Sequence, residues 1–260
     1  MKKLIPLLLF FVAMPSWAAR QFDIEVIIFK RAVDAEQVTE SWPDTLPQIS
    51  MDKVGSFGDS NYRARKGVQM LPRSSYQLDN EAQKLRNHAG FQVLMHTAWR
   101  QGDKGRLSAP TFRITGGKDY SAQFNRDGSP VGSSNESVID GVNEQTISGP
   151  LYELDGKLQI YVEHYLYADV ELDLKEPSVR DVVLEDRDVQ LDEQPLVSTN
   201  GAATTDTVQA GLMTEVTPTV HTEEFLKSYR MDQKRRMRSS ETHFLDHPLM
   251  GMIIQVRRVN

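Results

Sequence analysis

Cysteine is absent from all 260 residues. Its absence excludes disulfide staples, thiol nucleophiles and thiolate metal sites, so stability has to come from a packed core. A long apolar run is also missing. The most hydrophobic stretch, Leu4 to Val12, is interrupted by Pro6 and is far shorter than the ~20 residues that cross a bilayer. Lys2 and Lys3 precede it and Ser16-Trp17-Ala18 follows it, the three parts of a secretory signal peptide with cleavage expected after Ala18. Residues 1–18 are therefore expected to be removed, with no cysteine placed to take a lipid anchor, leaving an exported, soluble chain. Motifs of common chemistries are missing too. There is no G-x-S-x-G nucleophile elbow and no phosphate-cradling G-x-x-x-x-G-K-[ST].

Charge is present but unevenly placed. The net is −6 for the whole chain. Residues 175–224 carry 3 basic and 11 acidic side chains, whereas 225–260 carry 8 basic and 3 acidic. An acidic block before a basic one reads as a solvated linker leading into a cationic strand. For an exported, net-negative chain, nucleic acid is not an expected partner.

The hydrophobic pattern has mostly a period of two, which is the period of strands. "QFDIEVIIFK" places Phe22, Ile24, Val26 and Ile28 on one face, with Asp23 and Glu25 opposite them. "FQVLMHTAWRQG" places Phe91, Val93, Met95, Thr97 and Trp99 together, and "LSAPTFRI" returns as the next strand. Between them, Leu78, Ala82, Leu85 and Ala89 form the stripe of one short amphipathic helix over about 79–88, ended by Gly90. Asp155-Gly156 reads as a hairpin turn. Beyond it, Leu158 to Leu174 alternates without a break, as one long strand bent by a bulge or shared between two sheets. Further strands are expected from Phe225 to Met237 and from Met250 to Val256.

The expected fold is α+β, a mainly antiparallel β-sheet with one short amphipathic helix and long loop insertions. One domain is expected over 19–260, with irregular insertions at about 31–75 and 116–150 and an acidic, disordered loop at about 175–222.

Two groups of residues carry candidate chemistry. Tyr161, Tyr165 and Tyr167 share one face of the long alternating stretch, where rings can stack on sugars or anchor an interface. The competing expectation packs them beneath the loops. The basic row Lys234, Arg236 and Arg238 fits an anionic ligand, or cross-strand pairing with Glu163, Asp169 or Glu171. The second group is "ETHFLDH", with Glu241, His243, Asp246 and His247. His243, Asp246 and His247 would serve a metal-dependent hydrolase if they converged. Pro248 disfavours a helix at His247, so the segment reads as the turn bringing in the last strand, with no metal and no catalytic residue expected. No cofactor is expected.

Several segments together resemble the CsiV family: "FDIEVIIFKR", "FQVLMHTAWRQ", "FRITGG", "LQIYVEHYLYADVELDL" and "RRMRSSETHFLDHPLMGMIIQV", in that order. The resemblance implies a periplasmic, peptidoglycan-binding protein without catalytic activity. It also implies a role in promoting cell-wall synthesis by a class A penicillin-binding protein, together with that enzyme's outer-membrane lipoprotein activator. A wall hydrolase, or an adaptor without wall affinity, remains the alternative. On this reading the binding candidates are Tyr161, Tyr165, Tyr167, Arg236 and Arg238.

Overall fold

A computed structural model describes residues 20–132, 149–183 and 220–259. The expected signal peptide, and the segments 133–148 and 184–219 of two expected insertions, lie outside the described residues.

Two antiparallel sheets dominate the described residues. The first has the order β2-β3-β1-β9-β8, built from β1 (Gln21–Arg31), β2 (Gln69–Met70), β3 (Phe91–Gly102), β8 (Thr242–Asp246) and β9 (Met250–Val259). The second has the order β4-β5-β6-β7, built from β4 (Thr111–Asp119), β5 (Tyr152–Val162), β6 (Leu166–Val183) and β7 (Val220–Met237). Two short helices accompany them, α1 (Ser60–Lys66) and α2 (Asp79–Asn87). The mainly antiparallel α+β expectation is met.

β1 lies between β3 and β9; one face is apolar along its length, and the other turns apolar at Ile27 and Phe29 after Asp23 and Glu25, and both are covered. Ile24, Val26 and Ile28 join Val256, Ile254 and Met252 in the same core cluster as Leu158, Ile160, Val170, Leu172 and Met231 of the second sheet. On the other face, Ile27 packs against Leu78 and Ala82, with Leu85, Val93 and Ile253 around them. Burying each such aliphatic side chain contributes roughly 1.5–3 kcal/mol, so the two covered faces of β1 hold helix, first sheet and second sheet in layers.

Several expectations need correction. Asp155-Gly156 is not a turn, since β5 runs straight through it. Gly156 lies opposite Leu172, and a Cβ on it would come within 2.2 Å of the Glu171 carbonyl oxygen. The glycine answers a close approach of backbones, not a reversal. The reversal comes at Glu163-His164-Tyr165, between β5 and β6, closed by a Glu163 N–H donating to the Tyr165 carbonyl at 3.0 Å. Alternation hid it because even-numbered residues pair with even-numbered ones across this hairpin (Ile160 with Ala168, Val162 with Leu166), so the inward face passes through the turn unbroken.

In β3 the register against β1 shifts between Ile28 and Phe29. Phe91 and Val93 are thereby moved away from the face of Met95 and Trp99, and Val93 packs with the helix layer. The acidic loop expected over about 175–222 does not include its two ends, which are strand. β6 continues to Val183 and β7 begins at Val220, with Lys175 opposite Ser228 and Arg180 opposite Glu223. Within 31–75, α1 had no apolar stripe to announce it. It is set by its ends: Asp59 accepts the Tyr62 N–H at 2.9 Å, and Gly67 closes it at φ 63°. Finally, "THFLD" is the edge strand β8 and not a turn; the turn is His247-Pro248-Leu249.

Candidate functional site

The outer face of the second sheet has two ends of different chemistry. At one end charges are matched across strands. Arg113 grips Asp155 through two hydrogen bonds of 2.9 Å, and Arg230 grips Asp173 at 2.8 and 2.9 Å. Lys157 pairs with Glu171 at 2.8 Å. The cross-strand neutralisation expected for Glu171 is found here, with Lys157 and not with the basic row.

At the other end, tyrosines and cations meet instead. Tyr161 and Tyr167 are directly opposite in register, and their rings stack with centroids 5.4 Å apart at 22°. Lys234 Nζ lies 5.6 Å from the Tyr161 centroid and 5.1 Å from that of Tyr167. Arg236 lies 4.5 Å from the ring of Tyr165, which stands in the hairpin turn and is 52% exposed. Arg106, from the loop before β4, approaches Tyr161 at 5.9 Å and pairs with Asp169 at 3.1 Å. Each cation–ring contact at an exposed site contributes about 0.5–1 kcal/mol, enough to bias where a long side chain rests.

The five sequence-derived candidates fare differently. Tyr165, Tyr167 and Arg236 come together. Tyr161 joins them but is 0% exposed, so its ring faces are closed to any ligand. Arg238 lies beyond the end of β7, with an 80% exposed side chain at 3.6 Å from Glu241, and is not part of the group. Lys234 and Arg106 are, and Arg106 was missed because its loop gives no register from which to place it. Among the described residues no carboxylate lies within ion-pair distance of Lys234 or Arg236. Asp169 stands opposite Lys234 in register, but its carboxylate is turned to Arg106. The Lys234 ammonium has its pKa raised, first by its interaction with the Tyr161 side chain.

The histidine cluster does not converge. His243 Nε2 meets the Arg238 backbone, Asp246 pairs with Arg31, and His247 is buried against Trp42 with its Nδ1 accepting the Leu249 N–H at 3.2 Å. Burial holds the His247 pKa below its ordinary value. Among the described residues no group of three or more His, Asp or Glu side chains is placed to hold a metal ion.

Glu25 is the deepest charge in the first sheet, though alternation placed it on the wet side. Its carboxylate accepts the backbone N–H groups of Gln77 and Leu78 at 2.7 and 2.9 Å, meets His96 at 2.9 Å and Arg257 at 3.1 Å. Burial raises its pKa, but these hydrogen bonds outweigh it and hold the group at about 2. Both oxygens of Glu25 are occupied in seating α2 on the sheet, so it serves the fold.

A family model described as "Peptidoglycan-binding protein, CsiV" matches residues 3–259, nearly the whole chain. The chain belongs to the CsiV family. Comparison with curated proteins and with solved structures gives no match. The CsiV match spans both sheets, so the family's signature covers the matched-charge end and the tyrosine-cation end alike. The family description is one of binding. The tyrosine-cation end of this CsiV protein is the part of the outer face where Lys234 and Arg236 have no ion-pair partner among the described residues.

Proposed function

We propose that this protein binds peptidoglycan in the periplasm through the tyrosine-cation end of its second sheet, as a single domain without catalytic activity. It thereby promotes cell-wall synthesis by a class A penicillin-binding protein acting with its outer-membrane lipoprotein activator. The observation that carries the binding surface is that Lys234 and Arg236 lie over Tyr167 and Tyr165, with no carboxylate in ion-pair contact among the described residues. Family membership supports the ligand. Rings that hold cations in place lower the entropy lost when a ligand takes them up.

Sedimentation with purified sacculi tests the binding. The mature protein is expected in the pellet, and Tyr165→Ala/Arg236→Ala in the supernatant with an unchanged thermal melt. Wild-type protein that stays in the supernatant refutes the proposal. For the regulatory role, glycan polymerisation by the synthase and its activator should rise on adding the protein; an unchanged rate refutes that part alone.

A further inference from the structure

Resting on the peptidoglycan-binding reading, we propose that the tyrosine-cation end is a carboxylate-binding site. It takes the free carboxylates of the wall's stem peptides, not the faces of its sugars.

The rings themselves argue against sugar stacking. Tyr161 is fully buried, between Tyr167 and the side chains of Arg106 and Lys234. Tyr167 is half-buried, with Tyr161 and Lys234 against it. Arg236 lies over Tyr165. Apart from Tyr165, which is 52% exposed, what this surface offers to solvent is positive charge seated on rings.

That charge is unmatched, in contrast to its surroundings. Arg113, Lys157 and Arg230 on the same face each have a carboxylate, and Arg106 takes Asp169. Lys234 and Arg236 have none in ion-pair contact among the described residues. They stand two residues apart on β7, so their Cα atoms are separated by roughly 6.6 Å along the strand. One carboxylate can bridge that spacing with charge-assisted contacts of about 2.8 Å on each side. Ammonium and guanidinium donors, with the neighbouring Asp169 already engaged by Arg106, are complementary to an anion. In a wall of uncharged N-acetylated sugars joined to short peptides, the peptide carboxylates are the anions that fit.

Three wall preparations test this with the native mature protein. They are intact sacculi, sacculi whose carboxylates have been converted to amides with carbodiimide and an amine, and bare glycan, freed of peptides by an N-acetylmuramoyl-L-alanine amidase and with the lactyl carboxylates which that cleavage exposes converted to amides in the same way. Retention on amidated sacculi and on bare glycan is expected to fall at least about tenfold, the loss of one charge-assisted hydrogen bond. Lys234→Gln/Arg236→Gln should bind intact sacculi no better than the native protein binds amidated ones. Equal retention on intact and amidated sacculi, or on bare glycan, overturns this inference and leaves peptidoglycan binding standing. Absence of retention on all three overturns both.

Discussion

Glu25→Gln offers the sharpest test of how this fold is held. In the native protein the carboxylate faces donors alone: two backbone N–H groups before α2, His96 and Arg257. The depression of its pKa from 4.5 to about 2 corresponds to about 3 kcal/mol of stability, at about 1.4 kcal/mol per pKa unit. Because the folded value is the lower one, that stability is fully present above pH 4.5 and is lost as pH falls through about 2. The substituted amide would keep one acceptor oxygen and turn its N–H₂ toward groups that also donate. Breaking a buried ion pair in this way costs about 3–5 kcal/mol. With a urea slope of about 2–3 kcal/mol/M for a chain of this size, the midpoint should fall by at least about 1 M at pH 7. The gap between variant and native protein should narrow as pH drops below the ordinary carboxylate range. A midpoint shift at pH 7 of under about 0.3 M, or a gap of the same size at pH 3 as at pH 7, would refute the reasoning.

Two further perturbations have signs set by the structure. His247 is buried neutral with its pKa below the ordinary 6.5, so the unfolded chain takes up that proton more readily. Stability should therefore be full above pH 6.5 and decline as pH falls from there toward the folded value, and His247→Asn should flatten that slope in urea melts between pH 7 and pH 5; an identical slope would count against it. Tyr161→Phe removes a buried hydroxyl that lacks a partner at bonding distance while keeping the stacked ring. Its melting curve should match or exceed the native one, by up to about 1 kcal/mol, and a loss larger than that would mean the hydroxyl has a partner.

Much of the fold was legible wherever a residue's role depends on near neighbours in the chain. The stripe Leu78, Ala82, Leu85 identified α2, and the apolar row of β1 identified the central strand. α1 escaped because Tyr62 is its one buried side chain, although the Asp59 and Gly67 caps were present. Asp155-Gly156 was misread because a glycine demanded by a strand crossing close by is the same residue that a turn would use. The site was half legible. Tyr167 and Arg236 come together since strand parity put each on a predictable face, and Tyr165 joins them from the hairpin turn between β5 and β6. Arg238 fell outside because β7 ends at Met237, and Arg106 was invisible because only loop geometry brings it over Tyr161.

The sequence by itself determined the features that period and composition dictate: strands rather than long helices, no disulfide, one amphipathic helix, and tyrosines and cations on one side of their strands. Tertiary structure decided which strands meet and in what register. That choice turned the unbroken alternation from Leu158 to Leu174 into two arms of a hairpin, since parity is conserved through its turn. It buried Glu25 by seating α2 over a face that alternation marks as polar. It also matched Arg113, Arg230 and Lys157 at one end of the second sheet with carboxylates, while laying Lys234 and Arg236 on tyrosine rings at the other. Alternation records the side of a strand on which a residue stands; its cross-strand partner depends on a pairing between segments far apart in the chain.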